Sequence, residues 1–367
     1  MFQKGLKGVV AVQTAIAEVD GQNGRLMYRG RTVEELLPGR SYEEVAAFLW
    51  DGELPGEARL EEVDGWLKEG RKLPDHVQAL LDVLPEDMEI MDAARTAISA
   101  YSHPEFRSRP IREQAALLTG ALPVIVSAHY RKRSGLGKIA PDSALGQVAN
   151  YLWMLTGEKP SPAKAEALGM YLKLTMEHGM NASTFAGRVT ISTESDLTAA
   201  VTSALGAMKG PLHGGAPSGV IDLLEEVKAS TSITEVIEGK LAAGEKIMGF
   251  GHRVYRTADP RSVLLRETCR GLEGQDDWLD LAVTAENEIT RLLDVHKPGR
   301  KLYTNVEYYA AAVMRAIDMP PDLFTPTFSV ARMVGWTAHA IEQIGDNTIF
   351  RPESEYVVQD PVGRPSS

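Results

Sequence analysis

Apolar residues in this chain recur at three- and four-residue intervals over most of its length, and that spacing restricts it to a mainly α fold. Trp278, Leu281, Ala285, Ile289 and Leu292 form one such stripe. Leu168, Leu172 and Met176 form another, on a helix predicted to run up to His178. Thr32 to Glu35, Ser41 to Glu44 and Ser232 to Glu235 each place a hydroxyl three residues before a glutamate, the capping-box pattern that starts a helix. Strand signal is confined to residues 8–30, where two short strands are predicted around the turn Asp20-Gly-Gln-Asn-Gly24. Pro and Gly separate the helical stretches at Leu54-Pro-Gly56, Gly157 to Pro162, Lys209-Gly-Pro211, Lys297-Pro-Gly299 and Met319-Pro-Pro321. No period of about 20–50 residues repeats, which excludes a solenoid. The tail after Gln359 is expected to fray.

A chain of 367 residues can bury a large core and divide into more than one domain. Its net charge of -11 argues against a nucleic-acid partner. An anionic ligand must therefore be met by local Arg, Lys or His rather than by the overall field. Cys269 is the only cysteine, so no intrachain disulfide forms; a reducing compartment fits, and a small buried residue is the simplest role for it. No apolar run reaches membrane length, so no membrane partner is expected. Lys4, Lys7 and the stretch from Val9 to Ala17 faintly resemble a targeting segment, but Gln13 and Thr14 interrupt it and a hairpin follows directly. The expectation is a cytoplasmic protein.

Common functional motifs fail. Gly249-Phe-Gly251 starts like a dinucleotide fingerprint but lacks its third glycine and a surrounding strand-helix unit. There is no Walker A or Gly-x-Ser-x-Gly sequence, and one Cys with no His-Glu-x-x-His predicts no metal site. Three loops nonetheless set a histidine among glycines. They are Glu177-His-Gly-Met-Asn-Ala-Ser183, Lys209-Gly-Pro-Leu-His-Gly-Gly-Ala216, and Gly249-Phe-Gly-His-Arg-Val-Tyr-Arg256 leading to Asp259-Pro-Arg261. Glycine lets backbone approach a ligand closely, and the arginines of the third loop can grip carboxylates in a bidentate fashion. The second and third loops each precede an expected helix start, a setting that suits phosphate or carboxylate ligands. His76, His103, His129, His296 and His339 read as ordinary cap or turn residues.

Taken in order, these loops resemble the citrate synthase family. The likeness continues through Leu302-Tyr-Thr-Asn-Val306, Phe324-Thr-Pro326, Ser329-Val-Ala-Arg332 and Arg351-Pro352, and it begins at Lys4-Gly-Leu-Lys-Gly8. The resemblance implies a citrate synthase fold: a large helical domain of residues 1–218 and 323–367, with a small domain of residues 219–322 inserted on the CoA side. It implies a homodimer, and two ligands, oxaloacetate and an acyl-CoA. No cofactor is expected, the CoA thioester being a substrate.

Carried over by position, His178, Arg261 and Arg332 would hold oxaloacetate, with Arg351 reaching the partner's site. A dianion leaving water needs paired, hydrogen-bonded cations, which suits that set. His213 resembles the group that donates to the thioester oxygen of the enolate, and His252 the one that polarises the ketone and protonates the alkoxide. Ile247, Met248, Gly249, Phe250 and Gly251 would line the CoA adenine. The expected catalytic aspartate is replaced by Glu307, in Asn305-Val-Glu-Tyr-Tyr309. One extra methylene advances the carboxylate by ~1 Å, and a misplacement of that size can cost roughly a hundredfold in rate. The implied activity is citrate synthesis from acetyl-CoA, oxaloacetate and water. The alternatives are 2-methylcitrate synthesis from propionyl-CoA, or a decayed protein that binds CoA or oxaloacetate as a regulator.

Overall fold

The computed structural model describes residues 3–6, 8–213, 218–251, 255, 257–272, 274–300 and 302–357. Its only sheet among the described residues is a three-stranded antiparallel meander near the start: β1 (Ala17–Asp20), β2 (Arg25–Tyr28) and β3 (Arg31–Thr32). The β1–β2 hairpin is the one expected, with Ala17 opposite Tyr28; β3 is an addition, and residues 8–15 stay outside the sheet.

Among the described residues, helices follow without further strands. The first group is α1 (Val33–Leu36), α2 (Tyr42–Asp51), α3 (Glu57–Gly70), α4 (Asp75–Val83), α5 (Ile90–Ser99), α6 (Pro104–Arg107) and α7 (Ile111–Arg133). Next come α8 (Gln147–Thr156), α9 (Pro162–Thr175), α10 (Ala182–Ser192), α11 (Leu197–Met208), α12 (Ser218–Ala229) and α13 (Ile233–Ala242). The last are α14 (Pro260–Gly271), α15 (Asp277–His296), α16 (Val306–Ala316) and α17 (Phe324–Gly345).

Local chemistry explains many of the starts. Ser41 and Glu44 form the full reciprocal box, and the Ser232 hydroxyl accepts the Glu235 N–H. Thr32 precedes α1 as expected, but its side chain makes no capping hydrogen bond. Asn181, Asp196, Asp259, Asp276 and Asn305 cap α10, α11, α14, α15 and α16 through side-chain oxygens. The helix bearing Leu168 and Leu172 ends at Thr175, short of His178. There the Tyr28 hydroxyl sits 3.2, 3.1 and 3.1 Å from the carbonyl oxygens of Lys173, Leu174 and Glu177, supplying polar company to groups the helix end leaves without partners.

Two long helices, α7 and α17, are buried on nearly every side and form the centre of the molecule. α17 packs on α2, α7, α9, α10 and α11, while α12 to α16 pack chiefly among themselves and reach α9 through α14 and α16. The α3–α7 crossing is tight enough to require glycine on both helices. A Cβ on Gly70 would collide with the Leu117 carbonyl, and one on Gly120 with the Leu67 carbonyl.

This contact predicts opposite outcomes for two Gly→Ala changes. Gly120→Ala should lower stability by at least about 1–3 kcal/mol, the cost of overpacking a filled interior. Gly65→Ala, on the open side of α3 where a Cβ meets nothing, should raise it by up to about 1 kcal/mol through helix propensity. Urea unfolding midpoints of the two variants test this, and equal shifts would contradict the close crossing.

Candidate active site

The first of the three His-Gly loops lies between α9 and α10. Gly179 takes φ of +66°, a conformation glycine adopts freely, and its N–H donates to Glu177 Oε1 at 2.5 Å. His178 faces Tyr255, with Nε2 3.0 Å from the hydroxyl. Glu177 is fully buried. Burial would raise its carboxyl, but His339, Arg332 and the Gly179 N–H more than reverse this and hold it below the ordinary glutamate value.

Arg332, on α17, is buried as well; its Nε donates to the Thr175 carbonyl at 2.8 Å and its guanidinium stacks over Phe328 at 4.8 Å. Desolvation lowers its pKa, and Glu177 counters part of that shift. α17 comes this close because Gly335 leaves room: a Cβ there would collide with the Met176 carbonyl and stand 2.6 Å from Glu177 Oε2. A second buried guanidinium, Arg261, sits in the first turn of α14. It donates from Nε and an Nη to the two oxygens of Asp259 at 3.0 and 2.8 Å. Burial opposes its charge, and Asp259 more than compensates, leaving its pKa raised.

Asp259 does three jobs at once. Besides pairing with Arg261 it accepts the Arg261 N–H at 3.0 Å as the α14 cap, and it accepts the Val306 N–H at 3.2 Å at the start of α16. Asn305 caps that same helix by accepting the Glu307 N–H at 3.0 Å. Glu307 thus projects from the first turn of α16, accessible to solvent yet hemmed in by enough protein that desolvation raises its carboxyl above the ordinary range. Arg261 pulls the other way. Burial raises the pKa of the Tyr171 hydroxyl, and it feels the charges of Arg332, Glu307 and Arg261 together.

The second loop brings His213 to the start of α10. Its Nε2 accepts the Ser183 N–H at 3.3 Å and lies 2.7 Å from the Ser183 hydroxyl, which itself accepts from Trp336 Nε1 at 2.9 Å. Burial, aided by Arg332, pushes His213 down to about 4, so the ring is neutral near pH 7. With Nε2 accepting, its proton sits on Nδ1.

The 247–251 loop abuts α16. Gly249 and Gly251 take φ of +84° and +86°, and a Cβ on Gly249 would stand 3.0 Å from Tyr308. Gly251 N–H donates to the Tyr303 carbonyl at 2.7 Å and Asn305 N–H to the Gly249 carbonyl at 2.8 Å. Ile247 is buried, Met248 is largely exposed, and Phe250 packs edge-on against Tyr308. His252 lies outside the described residues. Arg351 is exposed on the segment after α17.

His178, His213, Arg261, Arg332 and Glu307 are therefore linked through shared partners or mutual fields. The supporting residues Ser183, Tyr255, Asp259 and Glu177 stood inside the quoted motifs without a role. Trp336 and His339 are one and two turns along α17 from Arg332, where only the helical period could have pointed to them. His103 does cap α6, accepting from the Glu105 N–H, but His339 is a buried helix residue and not a cap.

Asp259→Asn tests the electrostatic core of the site. It removes the negative charge that faces the buried Arg261 guanidinium, and breaking one side of such a pair costs about 3–5 kcal/mol. A denaturant midpoint close to that of the parent would contradict the buried pairing.

Comparison with known proteins identifies the family. Residues 5–353 match the family model described as citrate synthase, C-terminal domain. The citrate synthase of Synechocystis sp. is 38% identical over 97% of this chain and 91% of its own length. The 2-methylcitrate synthase of Mycobacterium tuberculosis is 40% identical over 97% and 90%. Among solved structures, citrate synthase from Thermoplasma acidophilum in a ternary complex with carboxymethyl coenzyme A and oxaloacetate superposes with a TM-score of 0.86. It is 29% identical and covers 98% of this chain and 97% of that one. The chain belongs to the citrate synthase family.

Proposed function

We infer that this protein is a citrate synthase, joining acetyl-CoA to oxaloacetate with water to give citrate and free CoA. The observation that carries the reading is the protonation state imposed on His213. Ser183 occupies its Nε2 from the backbone, and burial keeps the ring neutral, so Nδ1–H is left as a donor toward a thioester oxygen. A neutral donor of this kind stabilises developing enolate charge without surrendering its proton.

In the proposed reaction the Glu307 carboxylate removes a proton from the acetyl methyl group while His213 donates to the carbonyl oxygen that becomes the enolate. The methyl carbon then bonds to the oxaloacetate ketone, whose oxygen takes a proton from His252. Water cleaves the resulting thioester, releasing CoA thiol and citrate. His178, Arg261 and Arg332 hold the two carboxylates of oxaloacetate. The buried state of both guanidiniums supports this role, because ion pairs formed in a dry site are strong and directional. The 247–251 backbone receives the adenine of CoA, residues 219–322 form the small domain on that side, and Arg351 completes the partner's site in a cytoplasmic homodimer. Its exposed position on the segment beyond α17 is compatible with reaching outward.

Glu307 is the departure from the family pattern, and its surroundings favour a working base over a decayed one. It is accessible, it lies within the field of Arg261, and its raised pKa makes it a stronger proton acceptor than an ordinary glutamate. Propionyl-CoA is the second acyl donor worth testing, given the 40% identity to a 2-methylcitrate synthase; one methylene in an apolar pocket is worth only about 1–3 kcal/mol.

Release of CoA thiol by the purified protein, with oxaloacetate and either acyl-CoA, tests the function. Higher kcat/KM with acetyl-CoA is expected; preference for propionyl-CoA would make it a 2-methylcitrate synthase, and no release with either would overturn the reading. Glu307→Gln should lower kcat by about a hundredfold or more. The wild-type rate should rise with pH along a limb displaced above the ordinary carboxylate range, since the base must be unprotonated, and this limb should vanish in the variant. A limb unchanged by the substitution would assign the proton transfer elsewhere.

A further inference from the structure

His339, Arg188 and Glu177 form a buried row behind the oxaloacetate side of the site. Arg188 on α10 is nearly inaccessible; its Nε donates to His339 Nδ1 at 2.9 Å, its Nη1 to Gln343 Oε1 at 2.8 Å, and its Nη2 pairs with Glu342. A guanidinium never gives up its proton under ordinary conditions, so Nδ1 of His339 must be the acceptor and the ring proton must sit on Nε2. Nε2 in turn lies 3.1 Å from Glu177 Oε1, inside contact distance though off the line of an ideal hydrogen bond. His339 and Glu177 are 1% and 0% exposed, so neither can exchange its partner for water.

The far side of Glu177 is the proposed substrate site. The same Oε1 accepts the Gly179 N–H, bracketing His178, and the carboxylate supplies the negative field that offsets the cost of burying Arg332. Glu177 Oε2 has no hydrogen-bond partner among the described residues, which leaves the carboxylate's orientation to the contacts on Oε1. A carboxylate free to rotate would release the 177–179 turn and move its charge relative to Arg332. His339, fixed in one tautomer by Arg188, opposes that rotation.

We propose that His339 is a positioning residue for oxaloacetate: its Nε2–H orients Glu177, and Glu177 in turn holds His178 and Arg332 in the geometry that receives a dicarboxylate. The inference rests on the function proposed above and extends it to two residues, His339 and Arg188, that do not touch the ligand. It differs from the role of Asp259, which pairs with its arginine directly.

Two substitutions separate the bonds of the imidazole. In His339→Asn the amide oxygen takes the place of Nδ1, keeping the Arg188 contact but leaving no donor for Glu177. In His339→Gln the amide nitrogen takes the place of Nε2, keeping that donor and giving up the Arg188 contact. Steady-state kinetics with thiol release and a thermal melt of each variant provide the test. Expected is a rise of tenfold or more in KM for oxaloacetate for His339→Asn, KM for acetyl-CoA within about twofold, and His339→Gln within about threefold of wild type on both. A purely structural role would lower the melting temperature of both variants and leave their oxaloacetate KM alike; that result overturns the proposal. Should His339→Asn fail to fold, a folded His339→Gln with a tenfold raised oxaloacetate KM overturns it equally, because it retains the donor. A wild-type protein without turnover would instead overturn the proposed function, and this inference with it.

Discussion

The buried guanidinium groups of Arg261 and Arg332 are the constraint around which the site and the elements that carry it are arranged. An isolated cation in such surroundings costs several kcal/mol after relaxation, so each must bring a counter-charge and hydrogen bonds with it. Arg261 has Asp259 in bidentate contact, and Arg332 has the field of Glu177 and the carbonyl of Thr175. Neither carboxylate is dispensable, because each also holds backbone: Asp259 receives the first turns of α14 and α16, and Glu177 the turn around His178. The same atoms that keep the cations stable therefore fix the elements that carry His178 and Glu307.

The helical architecture serves that arrangement through a few close approaches. α17 can run past the end of α9 because residue 335 is glycine, and this brings Arg332, Trp336 and His339 to bear on one side of the site. The Tyr28 hydroxyl, delivered by the short hairpin, meets the carbonyls that α9 leaves open. In a chain of net charge -11, Arg261 and Arg332 supply local buried positive charge that the overall field does not. His213 stays neutral beside Arg332, a state that suits a hydrogen-bond donor better than a proton carrier.

Much of this was legible in the sequence because the site is built from loops whose residue types are locally unusual. Glycine beside histidine at 179 and at 249–251 marks backbone in the left-handed region, and the structure has φ of +66°, +84° and +86° at Gly179, Gly249 and Gly251. Asp259 and Asn305, residue types that favour helix starts, cap α14 and α16 and so aim Arg261 and Glu307, a signal the capping-box pattern alone does not catch. What stayed hidden is long-range. His339 looks like any histidine on an apolar helix until α10 brings Arg188 against it, 151 positions away in sequence. The capping pattern at Thr32 goes unused although its backbone lies in the same extended region as that of Ser41, which does cap. Periodicity reports which face of a helix is apolar, not which other helix will cover it.

The claim on which everything else rests is that the buried guanidinium pair receives a dicarboxylate, and calorimetric titration with oxaloacetate tests it without requiring turnover. The wild-type protein should bind oxaloacetate, whereas Arg332→Lys, which keeps the charge but loses the planar fork, should bind it at least tenfold more weakly. Equal affinity in the two proteins, or no heat of binding in the wild type, would contradict the account.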